Sequence, residues 1–429
     1  MHIERRYDLE EARGLDRRNS LAGFRERFYI PPDTIYMDGN SLGLLSKDSE
    51  ESLLRVINEW KKLAIGGWMK GKRPWFWFAE EMGHLASELV GAEKDEVILT
   101  GTTTINIHNL VGTFFRPDGN KNKILADTIN FPSDLYALQG QLRNHGLDPE
   151  RHLVQAGPGD DGLLDEDDII GMMKEDVALV FLPSVLYRSG QLLDIERLTS
   201  AARERGIVIG FDCSHSAGAV PHSFSKWGVD FALWCSYKYL NSGPGAAAFL
   251  YVNKKHFGLN PYLPGWFGYL KEKQFDMLTE FIPAPHSGRW QISSPGILGS
   301  APAEGAMKII LEAGMTSIRN TSLQLTGFLA GSIRKRVMPL HDGFRIITPS
   351  EPRRRGGHIA VEHPEAVRIN GALLNKGIIG DLRPPNIIRL APVALYNTFE
   401  EVYRVTEAIR EIMDKKLYLD SGTERNEVS

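Results

Sequence analysis

Between Val177 and Phe211 the chain runs through Val-Ala-Leu-Val-Phe-Leu-Pro, a helical stretch from Asp194 to Arg205 closed by Gly206, and then Ile-Val-Ile-Gly-Phe. An apolar run without alternation marks a strand covered on both faces, and such strands belong to parallel sheets. Strand, helix and strand in that order predict a right-handed crossover, hence an α/β chain with a mostly parallel central sheet flanked by helices. Val97–Leu99, Ile124–Ala126 and Ala232–Cys235 extend the series, and Ala246–Val252 is expected to run back beside the last of them. Ligands of such sheets gather outside the carboxyl ends of the strands, so the residues just past each strand are the ones to search for chemistry.

Asp212 stands at one such end, with His215 three residues on. The next strand leads into Trp-Cys-Ser-Tyr-Lys-Tyr-Leu-Asn-Ser-Gly-Pro-Gly, residues 234–245, where Lys238 sits in aromatic and apolar surroundings. Such a lysine either snorkels to solvent or is a desolvated amine able to form a Schiff base with a carbonyl cofactor. Thr100-Gly-Thr-Thr-Thr precedes a helical pattern, which fits either plain N-capping or a phosphate held at a helix N-terminus by added hydroxyls. Phe131, fixed by Pro132, is available to stack on a ring. A lysine, a strand-end acid to keep a pyridine nitrogen protonated, a stacking ring and a phosphate site are together what pyridoxal phosphate requires.

The formal net charge of -4 argues against nucleic acid or an anionic membrane surface as a partner. No apolar run approaches the roughly 20 residues of a membrane span, and the first residues lack the apolar core of a signal peptide, so a cytoplasmic protein is expected. Two cysteines, Cys213 and Cys235, supply neither a disulfide framework nor a zinc site, and no metal is expected.

Four regions are expected: an N-terminal segment, 1–50, packing on a small lobe; a large cofactor-binding α/β domain, 51–302; a small α+β domain, 303–420; and a disordered tail, 421–429. Leu53, Val56, Ile57, Trp60, Leu63 and Ala64 recur at helical spacing and predict one buried face. The aromatic segment 66–78 suggests a pocket wall or a subunit contact. Arg353–Arg355 reads as a solvated loop, and Thr398–Glu401 as a capping box.

The stretches GNSLGL (39–44), GKRPW (71–75), NFPSD (130–134), WCSYKYLN with GPG (234–245), PGWFG (264–268) and RLAPVALYNTFEEV (389–402) resemble the kynureninase family of fold-type-I pyridoxal-phosphate enzymes, over most of the chain. The resemblance implies hydrolysis of the bond between Cβ and Cγ of L-kynurenine or its 3-hydroxy form, in tryptophan catabolism. It implies that Lys238 anchors the cofactor, Asp212 pairs with the pyridine nitrogen, His215 lies against the cofactor, Phe131 stacks on it and Asp134 bonds near its O3′ side. Thr103 and Thr104 match the phosphate positions, and Tyr237 reaches the phosphate and relays protons. Trp266 and Ser294 match positions that complete the phosphate cup from a second subunit, which implies a homodimer with shared sites. Arg389 matches the residue that grips the substrate α-carboxylate, with Ser41 and Trp68 also on the substrate side. Trp68 and Ser294 depart from the histidine and asparagine of some members, which leaves the kynurenine or 3-hydroxykynurenine preference open. A related lyase or desulfurase, or a silent protein of the same fold, remains the alternative.

Overall fold

The computed structural model describes residues 6–422. The expected tail therefore lies outside the described residues from position 423 onward. The strands are β1 (Ile35–Tyr36), β2 (Val97–Leu99), β3 (Lys123–Asp127), β4 (Leu153–Ala156), β5 (Val177–Pro183), β6 (Val208–Asp212), β7 (Phe231–Trp234), β8 (Phe249–Val252), β9 (Arg345–Ile346), β10 (Ile359–Glu362), β11 (Ile378–Ile379), β12 (Asp381–Arg383) and β13 (Ile387–Leu390). The large sheet has the order β2-β8-β7-β6-β5-β3-β4. Strands β3 to β7 are mutually parallel, while β8 runs antiparallel to both β7 and β2. Every residue of β5 and β7 is buried, as unbroken apolar runs require when helices cover both faces.

The small lobe carries the antiparallel sheet β12-β13-β10-β9, and the pair β1-β11 ties the N-terminal segment to it. Its core gathers Leu325, Phe328, Ile333, Ile359, Phe399 and Val402, each contributing about 1.5–3 kcal/mol on burial. Ala303, Met307 and Ile310, however, pack in the core of the large lobe. The passage from one core to the other thus falls inside the Met315–Arg336 helix, between Ile318 and Leu325, beyond the 302/303 boundary read from composition.

The N-terminal segment docks by specific bonds. Asp16 accepts from the backbone of Phe399 (2.7 Å) and Glu400 (2.9 Å), sharing the cap of the Phe399–Asp414 helix with Thr398, whose capping box with Glu401 is complete. Two expectations need correction. Arg355 is buried, with Nε 3.1 Å from Thr326 Oγ1 and Nη1 2.8 Å from the Ser350 carbonyl, so only Arg353 has the solvated character assigned to all three arginines. On the Lys47–Leu63 helix Val56 is buried but Trp60 is 57% exposed, because among the described residues none closes over that end of the apolar face.

Candidate active site

Strand β7 ends at Trp234, and the chain then folds back on itself around Lys238. Ser236 Oγ donates to the Ala247 carbonyl (2.6 Å), Asn241 N to the Lys238 carbonyl (2.9 Å), and Gly43 N to the Tyr237 carbonyl (2.7 Å). A Cβ on Gly43 would lie 2.4 Å from the Lys238 carbonyl, so this turn admits only glycine. The GNSLGL motif is thereby explained as a backbone-to-backbone contact that seats the lysine loop.

Lys238 Nζ lies 2.9 Å from His215 Nε2 and 5.9 Å from the centroid of the Phe131 ring. Burial, reinforced by the charges of Lys238 and Arg389, holds the His215 imidazole well below its ordinary pKa. A neutral ring can accept from the ammonium group, and its Nδ1 is buried without a partner. Asp212 closes β6 and accepts from Ser214 N (2.7 Å). Asp134 meets it: burial first, and then the facing Asp212 carboxyl, push the Asp134 carboxyl well above the usual range. Asp134 Oδ2 is buried, with no partner beyond that facing carboxyl. Two facing acids, beside an amine and an exposed aromatic face (Phe131), suit a flat ligand that brings its own N–H or O–H donors.

Thr103 opens the Thr103–Phe114 helix, whose cap residue Thr102 makes no side-chain cap bond, so the first backbone N–H groups and the hydroxyls of Thr103 and Thr104 are available to an anion. Paired bonds between Thr100, Gly101 and Ala248 fasten this helix start to the strand that leaves the lysine loop. Burial and contact with Cys235 raise the Tyr237 phenol above its ordinary pKa, so it stays protonated.

The small lobe supplies the other wall. The register sets Arg389 of β13 directly opposite Asp381 of β12. Arg389, 1% exposed, donates from Nε to Asp381 Oδ1 (2.6 Å), from Nη2 to Asp381 Oδ2 and Ser41 Oγ (3.2 Å), and from Nη1 to the Tyr187 carbonyl (2.7 Å). Asn40 Oδ1 also accepts from this guanidinium once its amide is oriented to suit. Tyr187 in turn meets the Phe131 ring edge-on at 5.4 Å. Burial followed by the Asp381 charge raises the nearby Asp38 carboxyl to about 7.

Lys238, Tyr237, Asp212, His215, Phe131 and Asp134 thus form one cluster, with the open helix start at Thr103 and Thr104 fastened beside the lysine loop and Arg389 and Ser41 on the small-lobe side. Trp266 and Ser294 lie elsewhere on the chain, on adjoining loops: Gly265 packs against the Ile292 carbonyl, Trp266 is 42% exposed, and Ser294 is exposed. Trp68 packs on Trp75 (5.9 Å) and Phe267 (5.8 Å), and lines with Pro295 and Leu298 a cavity of about 230 Å³. Sequence reasoning missed Asp381, Arg383, Tyr187 and His358. His358 is fully buried beside the Tyr187 backbone, 6.0 Å from His215, and burial lowers its pKa to about 3. The only trace of Asp381 and Arg383 in the sequence is a charged pair two apart before Pro-Pro.

A model of the kynureninase C-terminal domain matches residues 318–409. Curated relatives named kynureninase are 54% identical over 421 residues in Geobacillus thermodenitrificans (98% of each chain), 52% over 423 residues in Shouchella clausii (99% of this chain, 98% of that one), and 50% over 420 residues in Bacillus anthracis (98% of each). Among solved structures, an apo cysteine desulfurase from Thermococcus onnurineus superposes with a TM-score of 0.78 at 18% identity, covering 92% of this chain and 98% of that one. A cysteine desulfurase from Escherichia coli gives 0.76 at 16%, covering 92% and 99%.

Proposed function

The chain belongs to the kynureninase family, and from that premise we propose how its own residues carry out the family's reaction. The protein is a pyridoxal-phosphate-dependent hydrolase of tryptophan catabolism, splitting L-kynurenine and water into anthranilate and L-alanine. The observation that carries the residue assignment is the Lys238 cluster: an amine, an aromatic face and a pair of facing acids, at the carboxyl ends of parallel strands.

The residues fit the cofactor. Lys238 would be its covalent anchor, Asp212 would pair with the ring nitrogen, Asp134 would serve the ring hydroxyl side, Phe131 and His215 would pack on the ring, and Thr103, Thr104 and Tyr237 would hold the phosphate. When bound, pyridoxal phosphate supplies an electron sink that lets bonds at Cα and Cβ of an amino acid break. Lys238 Nζ is the amine that would take the proton from Cα. Neutral His215, 2.9 Å away, accepts a hydrogen bond from that amine and keeps it oriented. The Tyr237 phenol, held protonated by burial, delivers a proton toward Cβ, which becomes the methyl group of alanine, while the oxygen of water ends in the aromatic carboxylate. Ser41 and the arginine wall receive the substrate's α-carboxylate, and Trp68 stands on the side of the aromatic ring.

The working unit is a homodimer in which Trp266 and Ser294 complete the phosphate site of a second subunit. The exposed positions of both residues, and the exposed apolar side chains Trp60, Ile65, Met69 and Phe275, support this reading. Among the described residues no helix is long and apolar enough to cross a membrane, and we place the enzyme in the cytoplasm. Side-by-side assays with L-kynurenine, 3-hydroxykynurenine and L-cysteine test the substrate class. Anthranilate or 3-hydroxyanthranilate is the expected product; alanine formed from cysteine alone would move the protein to the desulfurases.

A further inference from the structure

Away from the Lys238 cluster a second lysine is buried as half of an ion pair. Lys271 and Glu80 are each 7% exposed, and Lys271 Nζ lies 2.5 Å from Glu80 Oε1. The same ammonium group donates to the Phe76 carbonyl and stands 4.8, 4.6 and 5.3 Å from the ring centroids of Phe76, Trp77 and Phe267. Taking two charges out of water is costly, and apolar side chains of similar volume often hold a core equally well. Burial accordingly lowers the Lys271 pKa, against the pull of Glu80. What apolar packing does not supply is direction. An ammonium bonded to one carboxylate and one carbonyl fixes how the segments that carry them lie.

Glu80 stands in the first turn of the Phe78–Val90 helix, directly after the aromatic turn Trp75–Trp77. Lys271 begins the segment Lys271–Asp276, just past the turn Trp266–Gly268. Glu80 Oε1 accepts a second bond from Gln291 Nε2 (2.9 Å), which also reaches the Phe267 carbonyl (3.5 Å), and Gln274 Nε2 donates to the Trp266 carbonyl (2.7 Å). Close backbone approach completes the clamp: a Cβ on Gly265 would collide with the Ile292 carbonyl, and one on Gly268 with the Arg289 and Gln291 carbonyls. Residues 289–292 lead directly to Ser294. Phe267, at the middle of the turn, meets Phe76 (5.9 Å) and Trp68 (5.8 Å), while Trp266 and Phe275, edge-on at 5.9 Å, stay 42% and 73% exposed. A buried, directed clamp behind exposed rings is the construction of a surface that keeps its shape for a partner.

We propose that Lys271, clamped by Glu80, is a positioning residue for the cofactor site of the other subunit: it holds the Trp266 turn and, through Gln291, the loop of Ser294 in the shape that completes that site. This rests on the reading of the protein as a dimer with shared sites. None of the Lys271 partners named above belongs to the Lys238 cluster of its own chain, so its effect on the cofactor crosses the interface.

The test uses hybrid dimers. A subunit carrying Lys238→Ala is co-expressed with one carrying Lys271→Met, and the hybrids are isolated on two affinity tags. The pair Lys271→Met with Glu80→Gln is run alongside, because it leaves no carboxylate stranded should the single variant fail to fold. Each hybrid has one lysine site, and that site draws its Trp266 from the subunit whose Lys271 is native. Cofactor affinity is read from the absorbance of the lysine-bound cofactor, and turnover from L-kynurenine cleavage. The variant homodimers are expected to bind the cofactor at least about tenfold more weakly than wild type, and the hybrids to return to within about twofold of it, with the turnover of one working site. Hybrids as weak as the variant homodimers, or variant homodimers that bind like wild type, overturn the assignment. A Trp266→Ala subunit hybridised in the same way tests the shared site by itself: recovery there without recovery for Lys271→Met sinks the role of Lys271 alone, and recovery in neither sinks both.

Discussion

At the scale of single residues, the site works by denying water to charges and then pairing them unequally. Asp381 shows the consequence most clearly: burial pushes its carboxyl up, but the bond from Arg389 holds it below the usual range. Removing it leaves two guanidinium groups facing each other. Asp381→Ala is therefore expected to cost about 3–5 kcal/mol in denaturant unfolding. His358 makes the opposite case. Its folded pKa is about 3 against about 6.5 in an unfolded chain. As pH falls below 6.5 the unfolded chain takes up a proton that the folded one refuses. Stability should then drop by about 1.4 kcal/mol per pH unit until the folded pKa is reached. His358→Gln should flatten that slope in acid-unfolding curves; an unchanged slope would mean that the ring is hydrated and titrates normally. Lys238, Asp212 and His215 were legible in the sequence because an acid or an amine directly after an apolar strand has few structural explanations. Asp381, Arg383 and His358 were not, because charges alternating in a three-residue strand look the same whether that strand is solvated or faces a buried arginine.

At the scale of elements, the apolar runs located β5, β6 and β7, and the Thr-x-x-Glu pattern located the capping box of the final helix, but the short strands β12 and β13 that carry the arginine wall, and the Pro132–Asn144 helix that carries Asp134, went unread. What such patterns could not show was which element meets which. The GNSLGL turn reads locally as a break between a strand and a helix, and its second glycine is required by the lysine loop some 195 residues further along the chain. The Lys47–Leu63 helix has a readable apolar face, but periodicity does not say whether the cover comes from the same chain. Gly43→Ala forces a Cβ to 2.4 Å from the Lys238 carbonyl and must shift the loop. We expect a cofactor affinity at least about tenfold weaker, read by absorbance titration, from a displacement well under 1 Å. Near-native affinity would show that the turn is merely a spacer.

At the scale of the whole molecule, the two cores meet along the Met315–Arg336 helix, and the site lies between the large sheet's strand ends and the small lobe's hairpin. One chain supplies the lysine cluster and the arginine wall but leaves Trp266, Ser294 and a band of apolar side chains facing outward. Ile65, 82% exposed, lies in that band. Ile65→Asp should shift sedimentation from dimer to monomer and cost both retained cofactor and activity; an active monomer would refute the shared site. The central claim, that Lys238 is the anchor around which both lobes are arranged, has one internal rival. Lys271 is buried where Lys238 is half-buried, and lies within 4.8 Å of the Phe76 ring centroid and 4.6 Å of that of Trp77, but it is already paired with Glu80 at 2.5 Å. Reducing the loaded protein with borohydride and mapping its peptides by mass spectrometry decides between them: the account predicts the cofactor's mass on the peptide containing Lys238, and finding it on Lys271 or any other lysine would contradict it.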